Sequence, residues 1–161
     1  MQENLVLQLV AGGVAGCLFM DIWQRIFYLL SGNPPSAWNI VGRWAYELAT
    51  KGRLVNPNIE NAPALSFELP LGWFFHYLVG CGYAAIYLVL MQAGYLTTSV
   101  VDGFIFGAAS VVVPWFMFLP CMGKGMLARN TPVPLKVCTI ALITHIIFGI
   151  GIAFGIQLVA A

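Results

Sequence analysis

Charge is what this sequence has least of. Lys and Arg number 7, Asp and Glu 6, and charged side chains make up only 8% of its 161 residues, whereas globular chains carry about a quarter. A net charge of +1 offers no bulk attraction for nucleic acid or acidic partners. The four cysteines, Cys17, Cys81, Cys121 and Cys138, form no Cys-x-x-Cys pair, so neither a zinc site nor a redox dithiol is indicated. They read as small apolar packing residues. No Ser-His-Asp order and no His-Glu-x-x-His box occurs, and catalysis is unsupported.

What the chain does have is hydrocarbon. Hydrophobic residues are 60% of it and the mean hydropathy is +0.87. Four segments, about residues 5–30, 71–91, 100–119 and 137–159, are long enough to cross roughly 30 Å of bilayer core as helices. They are continuously apolar rather than alternating, which favours helices over barrel strands. The expected fold is all-α: a single transmembrane domain over residues 1–161, four helices in a compact bundle, with connections at 31–70 and 120–136. Arg25, Arg43, Lys51 and Arg53 lie at or in the first connection, and Lys124, Arg129 and Lys136 in or beside the third. The tails and the short middle connection hold no Lys or Arg. The positive-inside bias then puts the first and third connections in the cytoplasm and both termini outside. A start without a basic stretch, carrying Glu3, argues against a cleaved signal peptide.

An internal echo runs through the apolar segments. The pattern H-x3-G-x-G-x-A occurs at His76–Ala84 and again at His145–Ala153, and G-x3-G at Gly12/Gly16 and Gly103/Gly107. Together these suggest a tandem duplication of a two-helix hairpin. In the first connection, Ser36 is the expected cap of an amphipathic helix with Trp38, Val41, Trp44, Ala45 and Leu48 on one face. Arg43, Glu47 and Lys51 fall away from that face, so the helix is expected to lie flat with its Trp pair among headgroups.

Positions four apart share a helical face. Gly13, Cys17 and Asp21 form one stripe, His76, Gly80 and Ala84 a second. Gly103, Gly107, Ser110 and Pro114 form a third, and His145, Gly149 and Ala153 a fourth. Small residues let helices approach closely in lipid, so both histidines are expected to face protein. Asp21, Arg25, His76 and His145 make a candidate intramembrane polar cluster. Arg25 is the local partner for Asp21, a histidine the cross-helix one. Three readings follow: hydrogen bonds that hold helices together, a proton- or solute-linked path, or haem ligation by His76 and His145. A metal site is weaker, and no cofactor is assigned. Arg43, Tyr77, Lys124 and Arg129 would line a cytoplasmic mouth, with "GKG" at Gly123–Gly125 meeting anionic lipid headgroups. A homo-oligomer, or an accessory subunit docking a partner through the long connection, completes the possibilities.

"VGRW" at Val41–Trp44, "LGWFFHY" at Leu71–Tyr77, "PCMGKG" at Pro120–Gly125, "NTP" at Asn130–Pro132 and "THIIFG" at Thr144–Gly149 resemble one uncharacterised family of short bacterial inner-membrane proteins, a domain of unknown function. The resemblance spans nearly the whole chain. It implies a four-helix inner-membrane protein and draws attention to Gly42, Met122, Thr131 and Pro132 beside the residues above. It implies no reaction, substrate or cofactor.

Overall fold

The computed structural model describes residues 3–160, and those residues contain helices and no strand. The helices are α1 (Glu3–Ser31), α2 (Trp38–Lys51), α3 (Glu68–Gln92), α4 (Val100–Cys121) and α5 (Pro134–Ala160). All but α2 are long and apolar enough to cross a membrane. Their ends follow from local chemistry. Helix α1 stops at Gly32, whose left-handed backbone (φ 71°) directs its N–H to the Tyr28 carbonyl at 2.9 Å; Pro34 and Pro35 cannot continue it. Helix α4 starts at Ser99, whose hydroxyl accepts the Asp102 N–H at 3.1 Å, a side-chain cap for a donor the helix leaves over. Pro114 lacks an N–H, and a wide π turn, Pro114–Phe118, begins there.

The chain divides into two compact units. Unit 1 joins residues 1–35, 77–110 and 142–161; unit 2 joins 36–76 and 111–141. Within unit 1, glycines set the helix contacts. A Cβ added to Gly13 of α1 would lie 2.7 Å from Cys81 Cα of α3. One added to Gly155 of α5 would lie 2.6 Å from Ala15 Cβ of α1, and one on Gly149 2.6 Å from Gly107 Cα of α4. These separations are too short for any real side chain, so backbones touch there. Lipid tails are as apolar as leucine, so close van der Waals packing is what holds such helices together. Gly13, Gly80, Ala84, Gly103, Gly107, Gly149 and Ala153 are all buried. Aromatic rings fill the remaining space: Tyr87 meets Phe106 edge-on at 4.8 Å, linking α3 to α4.

Unit 2 has its own core of Val41, Trp44, Ile59, Cys121 and Met122, with Trp38, Ala45, Leu48, Phe75 and Phe118 against it. The apolar face read from the sequence of α2 is therefore the packed face, but what covers it is protein. Trp44 is only 2% exposed; its Nε1 donates to the Leu54 carbonyl at 2.8 Å, and its ring meets Phe75 and Phe118 edge-on. This corrects the expectation of a Trp pair among headgroups. The reason is Gly42 and Gly72: a Cβ on Gly42 would collide with the Glu68 carbonyl, and one on Gly72 with the Trp38 carbonyl. Their absence brings α2 onto the first turns of α3. Ser36 is not the cap either, since Ala37 occupies that position without a side-chain bond.

Gly149→Ala is expected to cost about 1–3 kcal/mol through overpacking. Gly82 has nothing within 4 Å of its added Cβ, so Gly82→Ala should be neutral or stabilising by about 0.5–1 kcal/mol. Thermal unfolding of both variants in mild detergent checks this; equal behaviour would remove the glycine-contact explanation.

Candidate functional site

In unit 1 the α4–α5 contact sets up a hydrogen-bonded histidine. A Cβ on Gly107 would strike the His145 carbonyl and lie 2.7 Å from Ile146 Cα, so α5 runs directly against α4 at His145. Three residues along α4, Ser110 Oγ lies 2.8 Å from His145 Nδ1 and donates to the Gly107 carbonyl at 2.7 Å. A hydroxyl has one proton. With that proton on Gly107, Ser110 accepts, Nδ1 carries the hydrogen, and Nε2 keeps its lone pair. The ring is flanked edge-on by Tyr83 at 6.2 Å and Phe148 at 5.9 Å. Tyr83 in turn donates to the Ser110 carbonyl at 3.4 Å. In that arrangement the ring is anchored at Nδ1, with Nε2 available.

Asp21, also in unit 1, accepts a hydrogen bond from the Tyr77 hydroxyl at 3.4 Å. Arg25 is exposed and makes no ion pair among the described residues. The one-turn Asp21–Arg25 pair expected from the sequence is therefore not formed, because the arginine faces away from the protein. His76 belongs to unit 2. It is 7% exposed and stacks on Trp38 with ring centroids 4.0 Å apart and planes at 25°, with Trp73 edge-on at 5.9 Å. The two histidines have different neighbours: His76 lies against a stacked indole and His145 against a hydroxyl.

Unit 2 contains a buried ion pair with full hydrogen bonding. Arg43 Nε and Nη2 grip the two Glu68 oxygens at 2.8 and 2.9 Å. Its Nη1 donates to the carbonyls of Ile59, Glu60 and Ala62 at 3.2, 3.2 and 2.6 Å. Glu68 also accepts from Asn39 and from the Leu65 N–H. A guanidinium forked onto a carboxylate is the strong form of such pairs, and the Glu68 hydrogen bond holds Arg43 even further above its ordinary pKa. Arg43 is 6% exposed. It is not an anion collector at a mouth, as the sequence suggested, but the tie that fixes the first connection. Glu47, expected to point away, is likewise buried: hydrogen bonds from Lys51 and then Asn56 hold its carboxyl below the usual range.

The "GKG" turn packs on the same loop. Gly123 is left-handed (φ 79°) and a Cβ there would lie 2.6 Å from Pro57 Cα, while Asn56 N–H donates to the Cys121 carbonyl at 2.8 Å. The glycine serves a turn and a close approach. Lys124 reaches Glu60 at 3.5 Å on the surface, a pair worth little, and Arg129 is exposed. Among the described residues no three His, Cys, Asp or Glu side chains cluster to hold a metal.

An all-helical chain with four glycine-packed helices long and apolar enough to cross a membrane has the features of the membrane-protein class. It belongs, more particularly, to the family described as a protein of unknown function, DUF2938, whose model matches residues 10–159. No curated protein and no solved structure matches the chain.

Two partnerships escaped the sequence. Ser110 stood on the α4 stripe with Gly107, which was the available signal, but its histidine lies 35 residues away. Glu68 was a lone acid at the head of an apolar run, and nothing local identified Arg43 as its partner.

Breaking a buried pair by removing one member costs about 3–5 kcal/mol, and an apolar pair of similar volume restores much of it. Arg43→Met should therefore destabilise strongly, and Arg43→Met/Glu68→Met should be more stable than Arg43→Met alone. Thermal unfolding in detergent reads both; an Arg43→Met protein as stable as the parent would contradict this role.

Proposed function

We propose that this protein conducts protons across a bacterial inner membrane, with His145 as an exchanging group and Asp21 and His76 as the further titratable groups of the path. The observation that carries the reading is the Ser110–His145 contact: at 2.8 Å, with the Ser110 proton on the Gly107 carbonyl, the hydroxyl oxygen takes Nδ1–H and leaves Nε2 able to take a proton. Ionisable groups inside spans mark such paths, and histidine titrates in the physiological range. Between a proton and a larger solute, helix spacing favours the proton. Where Gly103 and Gly107 meet Gly149, and where Gly13 meets Cys81, backbones are in contact, and no solute fits between them. A proton needs only a chain of hydrogen bonds.

The finer architecture belongs to the same proposal. The exposed basic residues Lys51, Arg53 and Arg129 favour cytoplasmic connections and periplasmic termini. A duplicated hairpin is part of it, and what supports it is that Gly80 and Gly149, which hold the same place in the recurring motif, each pack closely on the helix before: Gly80 on α1 and Gly149 on α4. A compact four-helix bundle that assembles as a homo-oligomer completes the reading.

An Nδ1-anchored imidazole with a bare Nε2 is also how a metal-ligating histidine is held, which favours haem ligation as the second reading. A Soret band in protein purified from haem-replete cells decides for it.

Proteoliposomes with an internal pH dye and an imposed potential test the first. His145→Gln should abolish proton uptake, Ser110→Ala should reduce it several-fold, and both should elute as folded protein. Parent-like uptake by His145→Gln would remove the proposal.

A further inference from the structure

A second polar feature of unit 1 lies between α1 and α5. Helices α1 and α5 run antiparallel in a fixed register: a Cβ on Gly12 would meet Ile156 at 2.9 Å, and one on Gly16 would meet Ile152 at 2.8 Å and Phe148 at 3.0 Å. The next turns of the same two ridges are Met20, at 9% exposure, and Phe148, at 3%. One turn further the ridges carry Gln24 on α1 and Thr144 on α5. Both are polar and both are buried, at 8% and 6% exposure. The Thr144 hydroxyl has no hydrogen-bond partner in the protein, nor has the buried Nε1 of Trp23 beside Gln24. An interface that packs glycine on isoleucine for two turns and carries Met20 and Phe148 at the third therefore leads to two buried polar side chains, Gln24 and Thr144.

We infer that Trp23, Gln24 and Thr144 form a binding site for one internal water between α1 and α5. The chemistry selects the ligand. An indole N–H can only donate, so the site offers a hydrogen to its occupant, which disfavours a cation. Among the described residues no Lys or Arg side chain is buried in unit 1, which disfavours an anion, since a charge in a low-dielectric interior needs a partner. What remains is a small neutral molecule that both accepts and donates. A water with two to four polar partners is the ordinary occupant of such a place: it accepts from Trp23 and donates to Thr144 Oγ or the Gln24 amide oxygen. Gln24 is also a helical neighbour of Asp21, three residues away. If Asp21 exchanges protons as proposed above, this water is the mobile partner on its own helix; the site itself stands independently of that reading.

The test uses the full chain in lipid nanodiscs. A hydroxyl that is merely buried without a partner destabilises, so its removal would raise the melting temperature. A hydroxyl that holds a water stabilises, so Thr144→Val should lower the melting temperature by about 2–4 °C or more, and Thr144→Ser should lower it less. Gln24→Leu should also lower it, and the double variant should lose less than the two losses added, because both act on one water. Radiolytic labelling in oxygen-18 water gives a readout that packing alone does not move: Trp23 should be labelled in the parent and much less in Thr144→Val. A melting temperature raised by Thr144→Val, additive losses, or an unlabelled Trp23 overturns the site. Failure of proton uptake in the His145 experiment, with these results intact, removes the proton reading and leaves the water site standing.

Discussion

The approach of α4 to α5 at Gly107 is the contact on which the chemistry of unit 1 depends. With no side chain at 107, the His145 carbonyl comes against the α4 backbone. That closeness puts Ser110, one turn along, within 2.8 Å of the imidazole. A methyl group at Gly107 would force the helices apart, and a serine hydroxyl cannot follow a retreating ring by more than a few tenths of an ångström before the bond is lost. Packing and tautomer are therefore one property. The glycine that lets the helices pack in lipid, where no hydrophobic force separates protein from solvent, is also the residue that fixes which nitrogen of His145 is free.

The two units use different physics for the same end. Unit 1 holds its helices through glycine contacts and edge-on aromatic rings, with polar groups few and individually placed. Unit 2 is built round a charge pair. Arg43 closes on Glu68 and on three backbone carbonyls, so a loop rich in Asn and Pro acquires one defined path. Buried pairs are weak as net stabilisers and costly to break, which suits a device that selects one conformation of an irregular segment. Gly42 and Gly72 add backbone contact to that selection.

How much of this was legible in the sequence depends on range. The four long apolar helices were readable to within three residues at every end, because hydropathy and length are properties of each segment alone. The face of α2 carrying Trp38, Val41, Trp44, Ala45 and Leu48 was readable from period. What covers it was not: the same pattern serves a helix lying on a membrane or one docked on protein, and only the meeting of Gly42 with Gly72, 30 residues away in sequence, decides. Arg43 and Glu47 were misread for a related reason. A charged residue off the apolar face is ordinarily solvated, and the sequence gives no sign that Glu68 and Asn56 return to meet them. His145 was correctly suspected as inward-facing from its glycine stripe, while its serine partner required knowing which helix lay alongside.

The most direct measurement is nitrogen-15 NMR of the histidine rings in lipid bilayers, with His145 assigned by comparison with His145→Gln. The expected spectrum has a protonated Nδ1 and an unprotonated Nε2 at neutral pH, and Ser110→Ala releases that preference. A His145 protonated at Nε2 instead, or one whose tautomer is indifferent to Ser110, would contradict the claim that the α4–α5 contact leaves Nε2 open.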